Sequence, residues 1–269
     1  MEGSISNIFF LVFHIHNRGQ LLTDTNSPSP SAFEETADIA SASDDYATRF
    51  SGPVGDYFLQ TQTRLTLDLL KDLPGASVLD IGGGHAQLTR PLIDNGYKVT
   101  VTGSADICRV RVDRSCEPLS FQYITCDSLN LPFRDREFDV VMAFRLLPHI
   151  NQWQRFLQEM CRVAGKVVIL DYADRRSANI LYDLLFEIKR SMEGNTRDYI
   201  LFTRKQLSDV LQANHFRTPL FKPEFFLPMV IHRKLNNPLV SRSVEAVFRA
   251  VGVTKIFGSP IILRSDRRR

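Results

Sequence analysis

The chain has 269 residues, enough for one α/β domain with additions, and its 43% apolar and 23% charged residues are those of an ordinary globular protein. A formal net charge of +3, without a basic stripe carrying interleaved aromatics, does not point to a nucleic-acid binder. No apolar run approaches the roughly 20 residues of a membrane helix, so no integral membrane segment is expected.

The apolar stretch at 8–13 lacks both a basic leader and a small-residue cleavage site, which disfavours a signal peptide. Residues 20–45 are rich in Ser, Thr, Asp, Pro and Ala and read as a linker, so 1–45 is expected to be a flexible extension and order to begin near Tyr46. From there 46–269 reads as one domain, with a core over 75–175 and additions over 176–269. Residues 57–71 suit a packed helix that Pro74-Gly75 ends. Residues 77–81 form a short buried strand running into glycines. A helix is expected over 86–95, kinked at Pro91 and stopped by Gly96. Strands follow at 98–102, 121–125 and 138–144. Asn151 is expected to cap a helix with the stripe Trp153, Phe156, Leu157, Met160 and Val163, which Ala164-Gly165 stops. A fifth strand covers 166–171 and a further helix 177–190. Thr203 reads as the cap of a helix reaching Leu211. Residues 216–232 are apolar and aromatic, and more in keeping with core than with a binding wall. Residues 241–251 are helical and 260–263 a last strand. The cationic tail Arg264, Arg267, Arg268 and Arg269 reads as a solvated terminus.

Strands alternating with helices give an α/β fold, a mostly parallel sheet with helices on both faces. In such sheets ligands bind outside the carboxyl ends of the strands. The strongest motif lies at one such end: Val78-Leu79-Asp80-Ile81-Gly82-Gly83-Gly84-His85-Ala86. Glycines there admit a ligand close to the backbone, and a following helix offers free N–H groups. Asp80 would repel a pyrophosphate but suit the ammonium of a methionine moiety. Gln87 stands where the dinucleotide fingerprint wants Gly or Ala, and no Lys-Ser/Thr follows the glycines, which speaks against a dinucleotide site and a P-loop. The second motif is Cys126-Asp127-Ser128-Leu129-Asn130-Leu131-Pro132-Phe133, followed by the strand that begins Phe138-Asp139.

On these two motifs, in this order and spacing, the chain resembles the class I S-adenosylmethionine-dependent methyltransferases, especially the small-molecule group that includes the quinone-biosynthesis C-methyltransferases. The resemblance covers about 46–171 well. It implies a Rossmann-like methyltransferase fold, S-adenosyl-L-methionine as cofactor and a small-molecule acceptor. It also implies that Asp80, Gly82, Gly83 and Gly84 wrap the methionine part, while Asp127 accepts from the adenine amine with the Ser128 backbone nearby. After the second strand the family carries an acid for the ribose hydroxyls. Here the strand ends Gly103-Ser104-Ala105-Asp106, leaving Ser104 or Asp106 as substitutes or as helix caps. Tyr46 and Arg49 match residues that close over the cofactor in relatives, with Arg49 placed to pair with its carboxylate.

After the fourth strand, Arg145 is a candidate for an anionic substrate group and His149 for a general base, because imidazole titrates near neutrality. Asp171 and Tyr172 share that position after the fifth strand, and 193–197 reads as a polar loop able to cover the pocket. Cys108, Cys116, Cys126 and Cys161 have neither C-x-x-C nor metal-ligand spacing, so no metal is expected and the thiols read as reduced in a cytoplasmic protein. Two other readings stay open: a non-catalytic S-adenosylmethionine binder, and an NAD(P)-dependent oxidoreductase.

Overall fold

The computed structural model describes residues 33–177 and 199–268. Seven strands form one sheet in the order β3-β2-β1-β4-β5-β7-β6. They are β1 (Ser77–Ile81), β2 (Lys98–Gly103), β3 (Gln122–Thr125), β4 (Phe138–Ala143), β5 (Ala164–Tyr172), β6 (Leu220–Pro223) and β7 (Ile261–Asp266). Strands β1 to β5 are parallel, and β7 runs antiparallel between β5 and β6. The expected mostly parallel sheet is therefore present. Its order reverses between β1 and β4, which opens the crevice typical of such sheets above those two strands.

The helices are α1 (Ala37–Ser41), α2 (Asp44–Thr48), α3 (Gly52–Leu70), α4 (Thr89–Asp94), α5 (Arg109–Cys116), α6 (Trp153–Val163), α7 (Arg204–Ala213), α8 (Met229–Leu235), α9 (Pro238–Ala250) and α10 (Val253–Phe257). Strand alternation divides the core in two. Leu79, Ile81, Val141, Ala143, Val168 and Leu170 meet Phe156, Leu157 and Met160 of α6 and Leu207 and Leu211 of α7. Val78, Val140, Met142, Val167 and Ile169 meet α3, α4 and α5 through Leu69, Leu70, Leu92, Val112 and Cys116. A smaller cluster joins Tyr57 and Phe58 of α3 to Phe225, which is fully buried.

Several expectations need correction. Order starts before Tyr46, because 35–48 carries α1 and α2 and buries Glu35 and Asp38. Pro91 kinks nothing: it occupies the first turn of α4, where a backbone N–H has no intrahelical acceptor to lose. Asn151 does not cap α6. The amides of Asn151 and Gln152 instead both donate to Glu35 Oε1 at 2.9 Å, an acid brought in from the N-terminal side. Ala164 and Gly165 do end α6, and they already belong to β5. Thr203 does cap α7, in a reciprocal capping box with Gln206.

Two arginines of the cationic tail are built into the fold, while Arg268 is exposed. Arg264 lies in β7, bonds the Asp72 carboxylate at 2.5 and 2.7 Å and pairs with Asp266. Arg267 donates to the Ala164 and Cys161 carbonyls and lies over the Phe216 ring. All four cysteines are buried and free, and the described residues hold no cluster able to bind a metal. None of the described helices is long and apolar enough to cross a membrane. The expected helix at 177–190 and loop at 193–197 fall, apart from Ser177, outside the described residues.

Candidate functional site

The glycine turn sits at the carboxyl end of β1, where Gly82 has φ of +67° and its N–H bonds the Thr102 carbonyl of β2. A short 3₁₀ turn over Gly83–His85 follows, and Ala86 also has positive φ. The turn has no room for side chains. A Cβ on Gly82 would lie 2.7 Å from Leu146 Cδ2, and one on Gly84 would lie 2.8 Å from Ala42 Cβ.

Asp80 stands in β1, one residue before its end. It is fully buried, its two oxygens have no hydrogen-bond partner, and a Cβ on Gly83 would collide with its Oδ2. In the sheet it lies between Val101 and Met142. The carboxyl therefore lies against the glycine turn, beside Gly83. Burial pushes it up to about 7.

The covering of the turn comes from α1. Asp38, 4% exposed, accepts from the Ser104 backbone N–H at 2.6 Å and from Ser104 Oγ at 2.5 Å. These are the donors at the end of β2, where the family's ribose acid was missing. Glu35 ties down the other end of this segment at the start of α6. Arg111 of α5 donates to the Ala42 carbonyl and pairs with Asp44. The strap thus crosses the ends of β4, β1 and β2, and leaves beneath it a cavity of only about 10 Å³ lined by Gly82, Thr102, Gly103, Ser104, Cys126 and Ser128.

Ser128 is buried there, and its Oγ is without a partner. Asp127 uses Oδ1 to accept from its neighbour Leu129 N–H at 2.9 Å, a local turn bond that leaves the second oxygen for other work. Asp106 turns away: it is exposed and accepts from Thr125 Oγ1. It does not replace the ribose acid.

A second cavity, of about 410 Å³, opens on the α3 side of the turn. Tyr46, Phe50, Leu59, His85, Gln87, Arg111 and Arg145 are among the residues lining it. Arg145 follows β4 with φ of +57°, a costly conformation for a side-chain-bearing residue, and its N–H bonds Asp171 Oδ1 at 2.6 Å. Its guanidinium lies 3.9 Å over the Phe50 ring and donates to Gln62 and Gln87. Gln62 in turn donates to Asp171 Oδ2 and Glu224 Oε1, both at 3.1 Å.

Two buried carboxyls therefore flank one cation. Burial pushes Asp171 up to about 6, and burial with the Asp171 charge pushes Glu224 up to about 8. Burial lowers Arg145, against the pull of Tyr46, Asp171 and Glu224. The His85 Nδ1 accepts from Gln87 N–H at 3.2 Å, and burial holds its imidazole well below the usual range.

The other expected residues divide. Tyr46 lines the larger cavity, and Arg49 lies over its ring at 5.3 Å. His149 is half-buried in the short turn Leu147–His149 and lines neither cavity, so Arg145 and His149 do not meet in one void. Asp38, Gln62 and Glu224 were missed. Gln62 and Glu224 carry no local motif, and Asp38 sits in a stretch whose composition reads as linker.

Residues 79–169 match the methyltransferase domain family. The matched stretch runs from β1 into β5 and includes the glycine turn. The chain is 29% identical over 143 residues to a demethylmenaquinone methyltransferase of Renibacterium salmoninarum, covering 51% of this chain and 59% of that protein. It is 30% identical over 120 residues to the ubiquinone/menaquinone biosynthesis C-methyltransferase UbiE of Legionella pneumophila, covering 41% and 48%. The matches thus span about half the length of these relatives. In fold it is similar to the magnesium protoporphyrin IX methyltransferase of Synechocystis solved with bound SAM, at TM-score 0.57 and 15% identity, covering 84% of this chain and 90% of that one.

Proposed function

We propose that this chain transfers a methyl group from S-adenosyl-L-methionine to a small-molecule acceptor. The observation that carries the reading is the cradle itself. A glycine turn too tight for any side chain lies beside a β2 end that presents the Ser104 N–H and Oγ donors and a buried, partnerless Ser128 hydroxyl. Those donors already hold a pair of oxygens, the Asp38 carboxylate, so the site suits an oxygen-bearing ligand such as a ribose. Buried polar atoms left without partners call for a ligand or a water. Ser104, Ser128 and the second oxygen of Asp127 would hold the adenosine, and Gly82 to Gly84 would lie along the methionine part.

S-adenosylmethionine, when bound, supplies a methyl group activated on a sulfonium sulfur. The protein's share is alignment and exclusion of water, for which positioning gives much of the rate. Arg145, fixed by Asp171, Gln62 and Gln87, is placed to orient an acceptor through an anionic or π-rich group in the larger cavity. Tyr46 and Phe50 supply the apolar wall. His149 remains the candidate base for an acceptor that must lose a proton, and reaching the acceptor would require movement of its turn. Buried free thiols accord with a reducing compartment such as the cytoplasm.

A non-catalytic binder is the second reading, favoured by the strap lying on the glycine turn. Calorimetry with S-adenosylmethionine, followed by assay of S-adenosylhomocysteine release with quinol and phenol acceptors, separates the two. Binding with release supports methyl transfer, whereas binding without release supports the second reading. The Gly82→Val variant, whose side chain has no space beside Leu146, is expected to lose binding; full retention of affinity would refute this placement of the site.

A further inference from the structure

Eight of the eleven exposed large apolar side chains among the described residues lie between Ile231 and Phe257: Ile231, Leu235, Leu239, Val240, Val247, Val251, Ile256 and Phe257. Helix α9 is inverted relative to an ordinary surface helix, which turns its polar face outward. Its inward residues are Ser241 and Glu245, both buried. Its outward stripe is Leu239, Val240, Ser243, Ala246, Val247 and Ala250, all exposed. Leu239 and Val251 are 70% and 66% exposed, so the stripe protrudes rather than lining a groove.

The charge around this face has one sign. From Phe225 to Gly258 the sequence carries five Lys and Arg and a single acid, Glu245. That acid is withdrawn: it accepts from the Phe226 and Leu227 amides and pairs with the buried His232 at 3.0 Å. Lys234, Arg242, Arg249 and Lys255 are exposed. Arg242 and Arg249 border the apolar stripe, their guanidinium groups resting against Gln60 and the Glu224 carbonyl. An apolar stripe bordered by the cations of its own segment is the pattern of a helix lying in a lipid–water interface. A protein partner would be expected to meet aromatic anchors in pockets. This face instead offers dispersed aliphatic side chains, with Phe257 as its one strongly exposed ring.

We propose that α8, α9 and α10 form a peripheral docking surface for an anionic lipid bilayer. The aliphatic stripe inserts at the acyl boundary, and Lys234, Arg242, Arg249 and Lys255 meet acidic headgroups. The surface is separate from the glycine turn, so the inference does not depend on the methyltransferase reading.

The test is co-sedimentation of the full chain with phosphatidylcholine vesicles, with and without phosphatidylserine. Binding to the anionic vesicles, weakened by added salt, is expected. Val247→Glu with Leu239→Glu, and separately Lys234→Glu with Lys255→Glu, should each weaken it by on the order of tenfold or more. Circular dichroism and thermal melting confirm that the variants fold, as substitutions at exposed positions should allow; Val247→Ser with Leu239→Ser is a milder second pair. No binding to anionic vesicles, or binding that all these substitutions leave unchanged, overturns the proposal. So does a dimer in sedimentation that the Val247 and Leu239 variants disperse, since the face would then belong to a second copy.

Discussion

Replacing Asp38 with alanine should tighten cofactor binding, although it removes a buried and well-bonded residue. Asp38 makes two charge-assisted hydrogen bonds to Ser104, at 2.6 and 2.5 Å, and with them holds α1 on the glycine turn. Hydrogen bonds to a charged group contribute about 1.5–3 kcal/mol each, and the cost of desolvating the carboxylate offsets part of that. A net loss of about 2 kcal/mol from the closed arrangement is a reasonable working value. With the donors of Ser104 occupied and Ala42 against Gly84, cofactor can bind only when α1 lifts. Apparent affinity is then the intrinsic affinity reduced by the open fraction. Shifting that equilibrium by about 2 kcal/mol raises the open fraction, and the affinity, up to roughly 30-fold. Isothermal titration of wild type, Asp38→Ala and Asp38→Asn with S-adenosylmethionine measures this. Weaker binding by both variants would refute the reasoning and make Asp38 a ribose ligand that moves with the cofactor. Unchanged affinity would show that α1 does not compete at all.

Three further outcomes follow from the same geometry. Asp80, Asp171 and Glu224 have carboxyls raised to about 7, about 6 and about 8 from ordinary values of 3.8, 3.8 and 4.5. The folded chain therefore binds more protons than the unfolded one between those limits, and stability falls as pH rises from about 4 to about 8. Glu224→Gln should flatten that fall in urea titrations and stabilise the protein above pH 8 by on the order of a few kcal/mol, with little effect at pH 4; a pH profile identical to wild type would contradict the burial argument. Ser128→Ala removes a hydroxyl without a partner in the folded chain, so the melting temperature should hold while cofactor affinity drops about five- to tenfold. A lower melting temperature with unchanged affinity would count against the site. Arg267→Ala should destabilise the fold by about 1–3 kcal/mol in denaturant titrations, through loss of its bonds to the Ala164 and Cys161 carbonyls. A neutral result would return Arg267 to the status of a solvated tail.

Much of the sheet was legible because its residues announce themselves locally. Val78 to Ile81, Phe138 to Ala143 and Val167 to Asp171 are apolar runs bounded by turns, and the glycines after Ile81 can only be a bend. The sequence pattern also located Gly82, Ser104 and Ser128 around one small void. What it could not supply were contacts between distant segments. Asp38 and Ser104 are 66 residues apart, Gln62 and Glu224 are 162 apart, and Glu35 and Asn151 are 116 apart. A run of small polar residues such as 35–45 reads as linker unless Glu35 and Asp38 are known to find amides elsewhere. Arg264 and Arg267 read as a tail because chain ends are usually solvated, whereas Arg264 lies in β7 and Arg267, just after it, bridges to Phe216.

Hydrogen exchange of the full chain with and without S-adenosylmethionine tests the central claim most directly. Slower exchange at Gly82 to Gly84, Ser104 and Ser128, together with faster exchange across 37–48 as the strap is released, is the predicted pattern. Cofactor binding that leaves those amides unchanged, or that protects a different edge of the sheet, would contradict it.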